Sequence, residues 1–171
     1  MSQAPDATTL TGQLLAELRG TLDRRGVHAP RLIGIHTGGA WVAAELHRRL
    51  ALDAAPGSLD IGFYRDDVST RGVHPQVHPS RLPFEVDGAD IVLVDDVLCS
   101  GRTVRAALNE IFDYGRPARV LLAVLVDRGE HDRQLPIAAD AAGARVDLPA
   151  GQWLKLRGPD PLRLEVVEAP S

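Results

Sequence analysis

The fold of this chain follows from one segment, Ile91-Val92-Leu93-Val94-Asp95-Asp96-Val97-Leu98-Cys99-Ser100-Gly101-Arg102-Thr103. Its first four residues are apolar and of strand-forming type, which predicts a strand covered on both faces, as in a parallel sheet. The adjacent carboxylates of Asp95 and Asp96 then stand at the carboxyl end of that strand. Open α/β sheets bind ligands in the crevice beyond this end of their strands. The segment therefore predicts a binding site together with the strand.

The small residues after the carboxylates predict an anion-binding turn. Ser100 and Thr103 carry hydroxyl groups, and Gly101 lets another backbone approach closely. A helix follows over residues 103–114, because its apolar residues recur at helical spacing and form one stripe. The start of a helix leaves several N–H groups without internal partners, and these groups together with the helix dipole select an anion.

The next elements predict a βαβ unit and an α/β fold. Gly115 and Pro117 end the helix, and residues 119–126 are again nearly all apolar, as expected of a second parallel strand. Further elements are predicted from the hydrophobic pattern: strands over 31–35, 59–64 and 162–166, and helices over 10–22 and 39–50.

The acidic pair indicates what the anion is attached to. Two neighbouring carboxylates repel a bare phosphate, but they accept hydrogen bonds from a vicinal diol and help to hold a divalent metal. A ribose 5-phosphate satisfies both requirements. The common nucleotide motifs are absent, since there is no GxxxxGKS/T and the glycines 34, 38 and 39 do not have GxGxxG spacing. The alternative is that Asp95 and Asp96 merely cap the following helix.

At these residues the chain resembles the type I phosphoribosyltransferases. Their motif for phosphoribosyl diphosphate (PRPP) has four apolar residues, two acids and a Ser/Gly/Thr loop in this order. From about residue 32 to residue 140 the chain is similar to members that act on uracil and also regulate pyrimidine genes. The segments that carry this similarity are 59–67, 94–108, 114–117, 122–129 and 135–137.

The resemblance implies an architecture. We expect a type I phosphoribosyltransferase fold with a mainly parallel central sheet flanked by helices, and a single domain over residues 1–171. A flexible flap is expected over about 64–81 and a small C-terminal hood over about 146–168. A long polar loop is typical of a lid that excludes water from a reactive substrate.

The resemblance also implies roles for individual residues. Asp95 and Asp96 are expected to bind the ribose hydroxyls and to be the catalytic residues, with Asp96 aiding charge development and Asp95 orienting. Loop residues are expected at the other subsites: Cys99, Ser100, Gly101, Arg102 and Thr103 for the 5-phosphate; His36, Thr37, Gly38, Gly39 and Arg65 for pyrophosphate; Asp127, Arg128 and Gly129 for uracil. The alternative for the last three is a plain turn after a strand.

The chain departs from the family at two places. The family carries a basic residue on each side of the threonine in the pyrophosphate loop, where this chain has His36 and Gly38. Backbone N–H groups of a glycine-rich turn still bind phosphate oxygens, so we expect uracil affinity to be kept and turnover to be reduced. After Gly129 the family is basic, whereas this chain places Glu130 and Asp132 there.

The reaction implied by the resemblance needs no protein nucleophile. Displacement at the anomeric carbon of PRPP develops positive charge on the ribose ring, as in glycosyl transfer. The sequence agrees, because it has no GxSxG and its only cysteine, Cys99, has no base nearby in the chain. Mg²⁺ is the expected cofactor, held mainly by PRPP with no direct protein ligand.

Composition limits the partners. The net charge of −4 disfavours nonspecific RNA binding. We expect a homo-oligomer, and a local basic surface that gathers Arg24, Arg25, Arg48 and Arg49 from neighbouring subunits is the alternative by which RNA would bind. A single cysteine fits a reducing cytosol, and no apolar run approaches ~18 residues, so we expect a cytoplasmic protein without a membrane segment.

Two classes of function remain open. The first is an enzyme of pyrimidine salvage that makes UMP from uracil and PRPP, with UMP-responsive regulation of pyrimidine genes. The second is a regulator that senses UMP or PRPP in the same pocket, has weak or no catalysis, and acts on mRNA or another partner. A purine in place of uracil is a third interpretation.

Overall fold

The computed structural model describes residues 4–61 and 80–168. Its helices are α1 (Ala7–Arg25), α2 (Gly38–Leu50) and α3 (Arg102–Tyr114). Its strands are β1 (Arg31–Ile35), β2 (Gly57–Leu59), β3 (Asp90–Leu98), β4 (Arg119–Asp127), β5 (Ala141–Arg145), β6 (Gln152–Arg157) and β7 (Arg163–Glu168).

The first five strands form a parallel sheet in the order β2-β1-β3-β4-β5. The reversal of strand order between β1 and β3 is the point at which open α/β sheets bind their ligands. Helices lie on both faces of the sheet, so the predicted α/β fold with a mainly parallel central sheet is confirmed.

Strand alternation divides the interior into two apolar cores. Val92 and Val94 of β3 face the core that contains the buried sides of α1 and α2. Ile91 and Leu93 point the other way, into the core under α3. This period of two is what a strand imposes on its side chains. The four apolar residues before the acidic pair therefore serve both faces, as the sequence pattern predicts.

Helix α1 is longer than its apolar pattern predicts. The expected span was 10–22, and the helix runs from Ala7 to Arg25. The Asp6 carboxylate accepts a hydrogen bond from the Thr9 N–H at 2.8 Å and so caps the first turn. The helix ends at Gly26, whose φ of 65° is the left-handed geometry that favours glycine.

Two strands also differ from their predicted bounds. Strand β3 does not end at the acidic pair but continues to Leu98, because Asp95 and Leu98 still pair with β4. Strand β2 covers residues 57–59, whereas the prediction was 59–64, of which residues 62–64 lie outside the described part of the chain. Ser58 exchanges backbone hydrogen bonds of 2.7 and 2.8 Å with Arg81. The predicted flap lies outside the described residues except for positions 80 and 81, and Arg65 lies outside them as well.

Strands β6 and β7 pair antiparallel in the region predicted as a hood. Leu154, Leu156 and Leu164 turn inward and join the core beside α1 and α2. The two strands are thus packed on the side of the sheet that α1 and α2 cover. Of the helices in the described residues, none combines the length and apolar character that a membrane crossing requires.

Candidate active site

The acidic pair lies near the carboxyl end of β3, and both residues are buried. Asp95 is 2% exposed and Asp96 is 8% exposed. One carboxylate oxygen of Asp95 accepts from the Asp96 N–H, and one of Asp96 accepts from the Val97 N–H, each at 2.9 Å. Helix α3 begins only at Arg102 and has no side-chain cap, so the interpretation of the pair as a helix cap is wrong.

The glycine loop after β1 packs directly against the acidic pair. A Cβ added at Gly38 would overlap the Asp96 carboxylate, and one at Gly39 would lie 2.5 Å from the Val94 carbonyl oxygen. Position 38 therefore has no room for the basic side chain of the family in this geometry. The structure brings Gly38 and Gly39 together with Asp95 and Asp96, and the assignment of residues 36–39 to pyrophosphate stays a prediction.

The turn after β3 contains a glycine in the left-handed region just before α3. Gly101 has a φ of 94°, which L side chains rarely adopt, and it immediately precedes α3. The Arg102 N–H donates to the Ser100 hydroxyl oxygen at 3.2 Å. Ser100 and Gly101 are buried, whereas Arg102 is exposed and Cys99 and Thr103 are partly buried. The N–H groups of the first turn of α3 stand at this loop.

The segment after β4 forms a tight turn around Asp127. One oxygen of its buried carboxylate accepts from the Gly129 N–H at 2.9 Å and from the Arg133 guanidinium at 2.6 Å. Gly129 has a φ of 80°, and a Cβ there would lie 2.9 Å from an oxygen of Asp147. The turn places Asp127 and Gly129 at the same edge of the sheet as Asp95.

The side chain of Arg128 contacts the hood. It donates to the Gln152 carbonyl at 2.9 Å, pairs with Asp132 at 2.7 Å and lies over the Trp153 ring, 5.4 Å from its centroid. Only 5% of Arg128 is exposed. The predicted contact of Arg128 with uracil stays a prediction, because two of the three guanidinium nitrogens already contact Gln152 and Asp132.

Sequence reasoning missed the residues that support the loop of residues 99–103, which is predicted to bind the 5-phosphate. Arg133 donates to the Cys99 carbonyl at 2.6 Å, and the N–H groups of Gln134 and Leu135 donate to the Ser100 carbonyl at 3.0 and 3.2 Å. The Gln134 side chain accepts from Arg102 at 2.8 Å. We call residues 133–135 the brace. These contacts come from a loop without periodicity, so the only available signal was the run of charges from Glu130 to Arg133.

Comparison with known proteins places these loops in context. Residues 4–140 match the family model of the phosphoribosyl transferase domain. The chain is 53% identical over 161 residues to the bifunctional protein PyrR of Pseudomonas aeruginosa, covering 94% of each chain. It is 52% identical over 162 residues to the protein of that name from Pseudomonas fluorescens, covering 95% of each.

Solved structures are similar in fold at lower identity. A hypoxanthine-guanine phosphoribosyltransferase from Bacillus anthracis has a TM-score of 0.68 at 16% identity, over 90% of this chain and 86% of that one. The hypoxanthine phosphoribosyl transferase of Trypanosoma cruzi has a TM-score of 0.64 at 20% identity, over 86% and 78%. At such identities the likeness concerns the arrangement of helices and strands alone.

Proposed function

The chain belongs to the phosphoribosyl transferase family, and from this premise we propose that it transfers the phosphoribosyl group of PRPP to uracil, giving UMP and pyrophosphate. The observation that carries the proposal is the buried acidic pair with a glycine loop packed against it on one side and an anion-binding turn following it on the other. A sugar that carries phosphate groups at two positions matches that arrangement.

The three loops follow strands that are neighbours in the sheet. Residues 36–39 follow β1, residues 99–103 follow β3 and residues 127–129 end and follow β4, and the strand order is β1-β3-β4. Parallel strands end at one edge, so the loops lie side by side. We assign them to pyrophosphate, to ribose 5-phosphate and to the base in that order.

Each subsite has a chemical task in the transfer. The bond from the anomeric carbon to pyrophosphate breaks as the bond to N1 of uracil forms, and positive charge develops on the ribose ring. Asp95 and Asp96 accept hydrogen bonds from the ribose hydroxyls, with Asp95 orienting the sugar and Asp96 stabilising the developing charge. Their burial strengthens this electrostatic effect, because fixed charges act more strongly in a site that excludes water.

The leaving pyrophosphate is received by backbone groups. Gly38 and Gly39 present N–H groups at the start of α2, where the helix dipole favours negative charge. On either side of the threonine, where the family carries basic residues, this chain has His36 and Gly38, and neither is a permanent cation. We therefore expect slow turnover relative to family members that have those residues.

Magnesium is the cofactor that we propose. In the described part of the chain no three His, Cys, Asp or Glu side chains cluster to hold a metal ion. The buried acidic pair supplies negative charge beside this site without being a direct ligand, and PRPP would hold Mg²⁺ mainly through its own oxygens, the donor type that the ion favours. The ion would supply neutralisation of charge on the leaving pyrophosphate.

We propose regulation of pyrimidine genes as a second role. The observation that favours it is the identity of about half of all residues, over nearly the whole chain, to relatives that are called bifunctional. A pocket that binds UMP as a product also serves as a nucleotide sensor. RNA as the partner, a homo-oligomeric state, a single domain and a cytoplasmic location stay predictions.

The test is incubation of the protein with labelled PRPP, Mg²⁺ and each nucleobase separately. We expect the protein to form a labelled nucleotide from uracil and from no other nucleobase. The Asp96→Asn variant should form none. Product from hypoxanthine or guanine in place of uracil would show a purine enzyme. UMP binding without product from any base would instead establish a regulator that has lost catalysis.

A further inference from the structure

One guanidinium joins the uracil loop to the 5-phosphate loop. Arg133 donates from one nitrogen to the Asp127 carboxylate and from the other to the Cys99 carbonyl, each at 2.6 Å. Only 13% of its side chain is exposed. A hydrogen bond to a charged partner is among the stronger kinds, and here both ends lie at the proposed binding surfaces.

Asp127 depends on Arg133 for its charge balance. The other cation near this buried carboxylate in the described residues is Arg145, which lies 3.8 Å away with 76% of its side chain exposed. Such an exposed cation is screened by solvent and compensates a buried charge weakly. Strand pairing holds the backbone of Asp127, whereas the orientation of its carboxylate, which also accepts from the Gly129 N–H, is set mainly by Arg133.

The remaining brace contacts transmit this position to the phosphate loop. The N–H groups of Gln134 and Leu135 both donate to Ser100, and the Gln134 side chain accepts from Arg102. Leu135 and Ile137 also lie 3.4–3.5 Å from the position of a Cβ on Gly101. A displacement of the phosphate loop thus moves the segment that holds Asp127.

We propose that Arg133 is a positioning residue that couples the base subsite to the 5-phosphate subsite, so that an occupied phosphate loop tightens uracil binding. The proposal rests on the proposed function. Coupling between two sites is a free energy that either ligand exerts on the other, and it requires a contact network whose geometry both ligands affect. The Asp127–Arg133–Cys99 contacts provide such a network.

The experiment measures the dissociation constant of uracil by calorimetry, with and without saturating ribose 5-phosphate. In the unmodified protein we expect ribose 5-phosphate to tighten uracil by about fivefold or more. In Arg133→Gln the factor should fall below about twofold. Arg133→Lys keeps a charge beside Asp127 but lacks the planar fork that reaches two acceptors, so its factor should fall as well.

Arg119→Gln is the matched control. Arg119 pairs with Asp90 at 2.8 Å and donates to the Arg25 carbonyl at 2.7 Å, so it also joins a carboxylate to a backbone carbonyl. It lies at the start of β4, at the opposite edge of the sheet from the site. This variant should keep the full coupling factor even if its melting temperature falls by several degrees.

The outcomes separate the two proposals. Three results would overturn the inference: full coupling in any folded variant at position 133, an equal loss of coupling in Arg119→Gln, or no coupling in the unmodified protein. In each case, uracil binding would leave the proposed function standing. Ribose 5-phosphate binding without uracil binding would contradict the function, and the inference would fall with it. If Arg133→Gln does not fold, Arg133→Lys decides.

Discussion

Two adjacent carboxylates buried in one strand carry a cost that a ligand can offset. Asp is depleted in strands, and burial of its charge is unfavourable unless hydrogen bonds compensate it. Asp95 and Asp96 nevertheless sit at 2% and 8% exposure in β3. Hydrogen bonds from a bound ribose would offset this cost, so the charge of both residues should matter for PRPP binding.

Asp95→Asn and Asp96→Asn should each weaken PRPP binding while the fold is kept. A charge-assisted hydrogen bond is worth roughly 1.5 to 3 kcal/mol, which is about a tenfold to hundredfold loss of affinity. Titration calorimetry with PRPP and Mg²⁺ measures the change. Asp90→Asn, in the same strand but at its other end, should leave the affinity unchanged. Unaltered binding in both site variants would refute the assignment.

Gly101→Val should abolish UMP binding more completely than Ser100→Ala. Valine at a φ of 94° forces the backbone of the phosphate loop to change, whereas Ser100→Ala removes one hydroxyl group. Calorimetry with UMP gives the order of the two effects. The control is Gly88→Val, which imposes similar backbone strain at a φ of 70° with open space around it, away from the site. Normal UMP binding by folded Gly101→Val would contradict the idea.

The sequence predicts the short side chains of the site better than the long ones. Asp95, Asp96 and Gly101 are fixed by the backbone next to a strand or helix end, so their positions follow from local pattern. Arg128 and Arg133 reach partners across the chain, at Gln152 and Cys99. Such pairings depend on loop paths, which hydrophobic periodicity does not determine.

At the scale of elements, α2 carries a charge cluster on its surface. The Glu45 carboxylate pairs with Arg48 at 2.6 Å and with Arg49 at 2.7 Å, at the i,i+3 and i,i+4 spacings that bring helix side chains together. Hydrogen bonding to Arg48, with a smaller contribution from Arg49, lowers the pKa of Glu45 from its ordinary 4.5. The same contact raises the pKa of Arg48.

Glu45→Gln should lower the free energy of unfolding at neutral pH by roughly 0.3 to 1 kcal/mol, as for other exposed pairs. Since the folded pKa is the lower one, this stabilisation is fully present above 4.5 and is lost as the pH falls through the folded value. Urea unfolding of both proteins, at neutral pH and at a pH below the folded pKa of Glu45, measures this difference in unfolding free energy. Glu85→Gln, at an exposed glutamate outside this cluster, is the control. A difference that persists in acid would exclude the mechanism.

Strand β5 shows why one element was not predicted. Its sequence Ala-Ala-Gly-Ala-Arg lacks the β-branched and aromatic residues that indicate a strand. The structure explains the small residues, because a Cβ at Gly143 would lie 2.5 Å from the Leu125 carbonyl and 2.7 Å from that of Leu10. Close approach of α1 therefore selects this composition, and tertiary packing overrides the local preference.

At the scale of the whole molecule, electrostatics argue against strong RNA binding. The net charge is −4 and Lys155 is the only lysine. Part of the basic charge on α2 is also neutralised, since Arg48 and Arg49 both pair with Glu45. RNA affinity comes largely from unpaired Lys and Arg contacts to phosphates. An arginine that pairs with a carboxylate is less available to a phosphate, which weakens RNA binding further.

We expect weak RNA binding at physiological salt. Filter binding against the leader of the protein's own pyrimidine operon, with and without UMP, measures it. Arg24→Glu changes the basic cluster of Arg24 and Arg25 on α1, and we expect it to alter this weak RNA affinity little. Tight binding that UMP stimulates would contradict the prediction, and a strong loss in Arg24→Glu would place the RNA on a surface shared between subunits.

The packing of α1 against β4 and β5 has a consequence for protein synthesis. The Glu17 carboxylate accepts a hydrogen bond from the Ala142 N–H, and the Thr21 hydroxyl donates to the Asp140 carbonyl. Three leucines of α1 are buried in the same core as Leu125 of β4: Leu10, Leu14 and Leu18. The ribosome synthesises α1 before β4 and β5, so the surface against which α1 packs is complete only after residue 145. The apolar residues of α1 therefore lack their partners in β4 and β5 while the residues between 25 and 145 are being translated. A nascent chain that stalls before β5 would expose these residues to chaperones or to other nascent chains.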